Sequence, residues 1–133
     1  MSTRETVLAA IATKLAALAT GRVYRSRREQ LPGLPAIIIQ PASADADEVV
    51  LGLLDQRLRV AISIYAEGDV PDTAADAVLS GVWSALQADP HLGLGNEVHL
   101  EQAHTIDWEF EAFDQVRVTL TVTANYRTAV GTM

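Results

Sequence analysis

The chain has 133 residues, of which 49% are apolar, and it carries a formal charge of −7 at neutral pH. This length suits one domain, and the apolar fraction excludes a wholly disordered chain. The absence of cysteine excludes disulfides and thiolate chemistry. No run approaches the ~20 apolar residues that span a bilayer, and no basic leader precedes an apolar run, so neither a membrane span nor a secretory signal is expected.

The first segment is predicted to be an amphipathic helix over residues 3–20. Ser2 and Glu5 have the spacing of a capping box, and Gly21 stands where a left-handed residue commonly ends a helix. Apolar residues recur at helical spacing on one side: Val7, Leu8, Ile11, Leu15 and Leu18. Short strands are predicted next, at residues 22–27 and 36–40. The second is expected to be buried on both faces, because it is β-branched and lies between prolines.

Residues 41–47 are small and acidic and are predicted to form an exposed loop, and the wider segment 41–55 is expected to become ordered on assembly. Alternating apolar and polar residues predict a half-buried strand over residues 56–65. Asp72 is predicted to cap the N-terminus of a second helix, which ends before Pro90.

Two long strands are predicted to complete the chain, at about residues 97–111 and 115–127, with a turn at residues 112–114. Residues 128–133 are expected to fray. Together these elements predict one domain over residues 1–133 with an α+β, two-layer fold. An antiparallel or mixed sheet of roughly four to six strands would carry both helices on one face, because each helix has a single apolar stripe.

No constellation of residues predicts catalysis. His99 and His104 are five residues apart and should point to opposite faces of a strand, so no metal site is expected. Gly93 and Gly95 precede a strand rather than a helix, which does not suit a phosphate site. The sequence therefore predicts neither an enzyme nor a bound cofactor.

Charge is distributed unevenly along the chain. Residues 1–44 contain six Lys or Arg and two Glu, whereas residues 45–133 contain four Arg and fifteen Asp or Glu. The overall acidity argues against general nucleic-acid binding. Opposite charges can instead guide assembly of copies, and the other interpretation is a solvated edge strand kept soluble by its arginines.

Two sets of residues are candidates for such a subunit interface. The basic set consists of Arg22, Arg25, Arg27 and Arg28, and the acidic set consists of Asp45, Asp47, Glu48 and Asp55. A second acidic group, Asp107, Glu109 and Glu111, shares one strand face. This group is interpreted either as a second interface patch, as an ordinary polar sheet face or as an acidic lining that repels passing DNA.

Several stretches, in order along nearly the whole chain, resemble the tail terminator proteins of long-tailed bacteriophages, the family that includes minor tail protein U. The resemblance lies in the opening helix, in Arg22-Val-Tyr24 and in the segments at residues 34–38, 56–65, 74–86 and 116–126. It implies a structural protein of a phage or prophage virion tail, assembled in the bacterial host cytoplasm.

Proteins of this family form a hexameric ring on the head-proximal end of the tail tube, which ends tube polymerisation and provides the head–tail joining surface. The implied partners are further copies of the chain, the tail tube protein and the head–tail connector protein. DNA would pass through the ring without specific binding, and no membrane would be involved. The alternatives are another neck or tail-completion protein, a small-ligand-binding α+β module and, least favoured by the residue inventory, an enzyme.

Overall fold

A mixed β-sheet with helices on one face forms the fold. We analysed a computed structural model that describes residues 3–26, 33–112 and 114–129. Within these residues the elements are as follows: α1 (Thr3–Leu15), β1 (Val23–Arg25), β2 (Ala36–Val50), β3 (Leu53–Glu67), α2 (Pro71–Ala88), β4 (Val98–Ala112) and β5 (Gln115–Ala129). The five described strands lie in the order β1-β2-β3-β5-β4; β1 is parallel to β2, and the other neighbours are antiparallel. The predicted α+β class is confirmed.

The core lies between the sheet and the helices. Strict alternation along β3 and β5 places every second side chain on the helix-covered face, where Ile62 pairs with Leu120 and Ile64 with Val118. From the helices, α1 contributes Val7, Leu8, Ile11 and Leu15, and α2 contributes Ala75, Leu79, Val82 and Leu86. The helices cover β1, β2, β3 and β5, with α1 lying over β1 and β2.

The start of β2 is buried on both faces, as the sequence predicts. Ile37 and Ile39 pair with Ile64 and Ile62 of β3 and belong to the core. Ala36 and Ile38, which alternate with them, are also buried. A β-branched run of this kind is typical of a strand without a solvent-facing side.

The prediction of an exposed loop at residues 41–47 is wrong. β2 continues to Val50 and pairs with β3 as a long hairpin arm, which we define as residues 41–58. A register shift between Pro41 and Ser43 accommodates the proline, which has no backbone N–H to donate. The expectation that residues 41–55 order only on assembly also fails, because residues 41–50 and 53–55 lie in paired strands of the single chain. Cross-strand pairing thus overrides a weak local β-propensity.

The ends of the helices differ from the prediction. α1 ends at Leu15 rather than at residue 20, and a 3₁₀ turn follows at Ala19–Gly21. It is closed by i→i−3 bonds, in which the N–H of Gly21 donates to the Leu18 carbonyl and the N–H of Arg22 donates to the Ala19 carbonyl. Leu18 still packs on the core, which explains its place in the predicted apolar stripe. Gly21 is left-handed as predicted, with φ of 81°. Ser2 of the predicted capping box lies outside the described residues.

α2 begins at Pro71, so Asp72 lies in its first turn and is not the N-cap, which is Val70 without a capping side chain. A proline at the first helical position fixes a helical φ and lacks an N–H that would in any case have no helical partner. The helix ends at Ala88, before Pro90, as predicted. Neither α1 nor α2 is long and apolar enough to cross a membrane among the residues that the structure describes.

The β4–β5 hairpin agrees with the predicted strands to within two residues at either end. The strand continues past residue 127, however, since Thr128 is buried and pairs with Leu54, and Ala129 pairs with Leu53. The prediction of fraying is therefore wrong for these two residues. Residues 130–133 lie outside the described part of the chain.

Truncation of a core leucine should be far more costly than the same change at the tip of the hairpin arm. Leu86 is fully buried between α2 and the sheet, whereas Leu51 is 92% exposed. We expect Leu86→Ala to lower the free energy of unfolding by about 2–5 kcal/mol because it leaves a cavity, and Leu51→Ala to change it by no more than about 0.5 kcal/mol. Urea unfolding of both variants and the wild type measures the difference, and equal losses would contradict the position assigned to the core.

Candidate functional site

The sheet has two edges of different character, and these are the candidate assembly surfaces. At one edge β1 pairs with only three residues of β2, Ile37 to Ile39, and α1 packs beside it. At the other edge β4 pairs with β5 along its length and has no strand on its outer side among the described residues. An unpaired strand edge exposes backbone hydrogen-bonding groups that another chain can use.

The acidic set of the predicted interface is bonded within its own subunit. Arg57 donates to Asp45 at 2.9 Å and to Asp47 at 2.9 Å, and Arg59 donates to Asp45 at 2.9 Å. These pairs cross the hairpin arm, on the sheet face that carries no helix. Hydrogen bonds, first from Arg59 and then from Arg57, hold the pKa of Asp45 below its usual range. The arm therefore contains its own counterions.

Asp55, also of that set, is held in the same way by a neighbouring strand. Arg127 of β5 donates to it at 2.6 Å, and this bond lowers the pKa of Asp55. Glu48 is exposed and pairs across the arm with Leu54. The structure thus brings Asp45, Asp47 and Asp55 together on one face, but as members of ion pairs rather than as a free acidic patch.

The described residues of the basic set also make bonds within the subunit. Arg25 forms a two-pronged pair with Glu5 of α1, at 3.0 and 3.1 Å, and this hydrogen bonding lowers the pKa of Glu5. Arg22 donates to the carbonyls of Pro35 and Leu34 at 3.0 and 3.1 Å. Arg27 and Arg28 lie outside the described residues.

These contacts tie α1 and the chain entering β2 to β1. A cationic excess of two charges nevertheless remains, because residues 3–26 contain four Lys or Arg and one carboxylate, and a further carboxylate, Asp89 at the end of α2, pairs with Lys14, at 3.1 Å.

The β4 edge is acidic. Residues 97–114 contain six carboxylates and no Lys or Arg. Asp107 and Glu109 lie on the helix-free face, opposite Thr119 and Arg117, as their predicted shared face requires. Arg117 forms ion pairs with Glu109 and, at 3.7 Å, with Glu111, so one cation serves two of the three predicted carboxylates.

An apolar stripe on the other face of β4 is not among the candidate interface residues that the charge pattern indicates. Ile106, Trp108 and Phe110 are 38, 44 and 63% exposed, although they pair with the buried Leu120, Val118 and Val116 of β5. They therefore lie on the helix-bearing side of the sheet, beyond the cover of α2. The alternation of these residues with carboxylates is visible in the sequence, but it equally fits a strand buried on one side.

A groove runs between α2 and β4 beside this stripe. Trp83 of α2 packs against His104, with ring centroids 4.2 Å apart, and Leu79, Asp76 and Ile106 also line the groove. We call Ile106, Trp108, Phe110 and the groove the β4 surface. It is an exposed surface of apolar character bordered by carboxylates.

No group of three or more metal-ligating side chains lies close together among the described residues. His99 and His104 project to opposite faces, since His99 pairs with Asn125 and His104 with Val122. A polar hollow of about 620 Å³ lies at the start of β4, but Arg127 and Asp55 in its wall are bonded to each other.

The arm's ion pairs predict a loss of stability in acid. A carboxyl whose pKa is lowered by folding stabilises the folded state above its unfolded pKa of about 4, and this contribution disappears as the pH falls through the folded value. The double substitution Arg57→Gln/Arg59→Gln removes the arginine hydrogen bonds that lower the pKa of Asp45. We expect the urea midpoint of this variant to fall less between pH 7 and pH 3 than that of the wild type. Asp69→Asn, which changes an exposed side chain, is the control. The prediction would be contradicted if the urea midpoint of the double variant fell as much as that of the wild type.

Comparisons with known proteins identify a similar fold and a family. A chain of a solved structure described as the virion of a native gene transfer agent particle has a similar fold, with a TM-score of 0.59 and 17% sequence identity, over 92% of this chain and 95% of that one. A comparison with curated proteins gave no match. The family model of tail completion protein gp17 matches residues 5–131. The chain thus belongs to the tail completion protein gp17 family of structural phage tail proteins.

Proposed function

We propose that this protein closes into a ring on the head-proximal end of the tail tube, stops tube polymerisation there and provides the surface to which the head connector attaches. A hexamer is the expected stoichiometry, and the protein is expected to act by contact alone, without catalysis or a cofactor. Assembly would take place in the bacterial host cytoplasm, and the finished ring would surround passing DNA without binding it specifically.

One observation carries this proposal beyond family membership: the two edges of the sheet differ in charge and shape. The α1–β1 edge has a cationic excess, whereas the β4 edge is acidic and carries an exposed apolar stripe. A closed ring needs two different complementary surfaces on each subunit, because every copy contacts its neighbours head to tail. A protein with one self-complementary surface would instead stop at a dimer.

The interface pairing inferred from sequence is revised by the contacts. Asp45, Asp47 and Asp55 already hold Arg57, Arg59 and Arg127, so we assign them to the internal support of the hairpin arm. The β4 edge keeps more carboxylates than its neighbouring Arg117 can balance. It therefore suits attraction of a basic surface better than the arm does.

The role of Asp107, Glu109 and Glu111 as a DNA-repelling channel lining stays a proposal. Their helix-free face is polar and includes a row of threonines on β5, Thr119, Thr121 and Thr123. Ion pairing of Glu109 and Glu111 with Arg117 reduces the negative potential that such a lining would present. Only Asp107 of the three has no ion pair among the described residues.

The tail-end function predicts where the protein binds. Mixed with purified tail tubes of the particle that it serves, the wild-type chain should decorate a single end in electron micrographs and halt further growth of the tube. Native mass spectrometry should detect a closed oligomer with one defined number of copies. Denatured chain is the control for adventitious binding.

Other outcomes identify the alternatives. Binding to isolated connectors but not to tubes would indicate another neck protein. A strictly monomeric chain stabilised by a metabolite in a thermal-shift screen would indicate a ligand-binding module. Decoration along the whole tube or at both ends would contradict a tail-end function.

A further inference from the structure

We infer that the β4 surface is the docking site for the α1–β1 edge of a second copy of this chain. This inference rests on the proposed ring and specifies which surfaces meet within it. The surface consists of Ile106, Trp108 and Phe110 on β4 together with the groove between β4 and α2.

The exposure of the stripe is unusual for its position. Its three side chains stand opposite Leu120, Val118 and Val116, each of which is at most 1% exposed. Large apolar side chains that cluster at a solvent-facing edge commonly mark a protein–protein contact, whereas scattered ones are ordinary. Aromatic residues are also the types that dominate binding energy in such contacts.

The charge of the β4 surface indicates which part of a second copy would dock on it. The stripe alternates along β4 with carboxylates, and Asp76 of α2 borders the groove. Among the described stretches of the chain, residues 3–26 hold the largest excess of cations: Arg4, Lys14, Arg22 and Arg25 stand against Glu5 and against Asp89, which pairs with Lys14. Opposite potentials of this kind orient two surfaces and favour their encounter.

The same argument disfavours the other contacts that two copies could make. A symmetric contact of β4 with β4 would bring together six carboxylates from each copy. Segment 97–114 contains no Lys or Arg that could balance them in either copy. A contact of β4 with the free edge of β2 would meet the hairpin arm, whose four carboxylates outnumber Arg57 and Arg59, so that the arm offers no cationic excess to the carboxylates of β4. Like charges across an interface are unfavourable.

Position in the sheet gives the second argument. β1 and β4 are the first and last strands, so the two surfaces lie at opposite edges of the subunit. Docking one edge on the other leaves a free edge of each kind, to which the next copy adds until the ring closes. The α1–β1 edge also offers partly exposed apolar side chains to the stripe: Leu18, Val23, Tyr24 and Leu34.

Removal of the stripe tests the inference. Trp108→Ser/Phe110→Ser should abolish rings or weaken self-association about tenfold or more, since the two aromatic side chains would supply much of the contact energy. Leu51→Ser is the matched control, because Leu51 is an exposed apolar residue at the tip of the hairpin arm, and it should assemble as the wild type does. Sedimentation velocity and native mass spectrometry measure association, and circular dichroism with urea unfolding checks that each variant is folded.

A charge variant provides a second readout if the double variant fails to fold. Asp107→Lys changes an exposed side chain on the helix-free face, and it should weaken association. Added salt should weaken the association of the wild-type chain, because charges are screened over roughly 10 Å at 0.1 M salt. Association that is unchanged both by this variant and by salt would overturn the role of charge.

Cross-linking tests which surfaces meet. The chain has no cysteine, so Thr105→Cys and Ser26→Cys each introduce a single exposed thiol, the first beside the stripe on β4 and the second beside β1. A mixture of the two variants treated with a short bismaleimide should give products that join one variant to the other. Products from Thr105→Cys alone would show β4 against β4 and overturn the head-to-tail docking.

The outcomes separate this inference from the proposed ring. Rings formed by the folded double variant as readily as by the wild type would overturn the docking site and leave the ring intact. A double variant that forms rings but no longer binds tube ends would assign the β4 surface to the tube and also overturn the inference. A wild-type chain that stays monomeric at all concentrations would overturn both.

Discussion

The pairing of β3 with β5 is the constraint on which the rest of the structure depends. It runs from Leu53↔Ala129 to Glu67↔Gln115 without a register shift. Because side chains alternate with period two, a slip by one residue would turn every core residue of a strand to the polar face. This fixed register places valines and leucines under the helices and places Arg57, Arg117 and Arg127 on the opposite face.

The two faces of the central pair have different roles as a result. The helix-bearing face closes the core, and the helix-free face carries ion pairs that link β2 to β3, β3 to β5 and β5 to β4. These exposed pairs contribute little individually, but they select the register of an arm whose β2 strand is rich in alanine and aspartate. The arm therefore extends well past the part of β2 that β1 covers, Ile37 to Ile39, without a helix packed on its distal half.

The helical layer is narrower than the sheet, so part of β4 remains exposed. α1 and α2 pack over β1, β2, β3 and β5, so the outer part of β4 lies beyond the helical layer and its apolar residues remain exposed. For a tail-completion protein, an exposed apolar edge is expected where neighbouring subunits or virion components meet. The proposed function depends on shape, charge and the position of edges, and the family model matches residues 5–131 rather than a short motif.

Sequence periodicity by itself determined the α+β class, both helices and the strands that build the core, since burial imposes a period of 3.6 or 2 on apolar residues. It did not determine the hairpin arm, because Pro41 to Asp47 has weak strand propensity and becomes a strand only through pairing with Arg57 and Arg59. It also did not determine the candidate site. Charge counts indicated basic and acidic segments, but only the tertiary structure showed that Asp45 and Asp55 are neutralised within the subunit and that Trp108 is exposed. Which side chains remain available to a partner depends on neighbours that are distant in sequence, and those are fixed by strand order and by the reach of the helices.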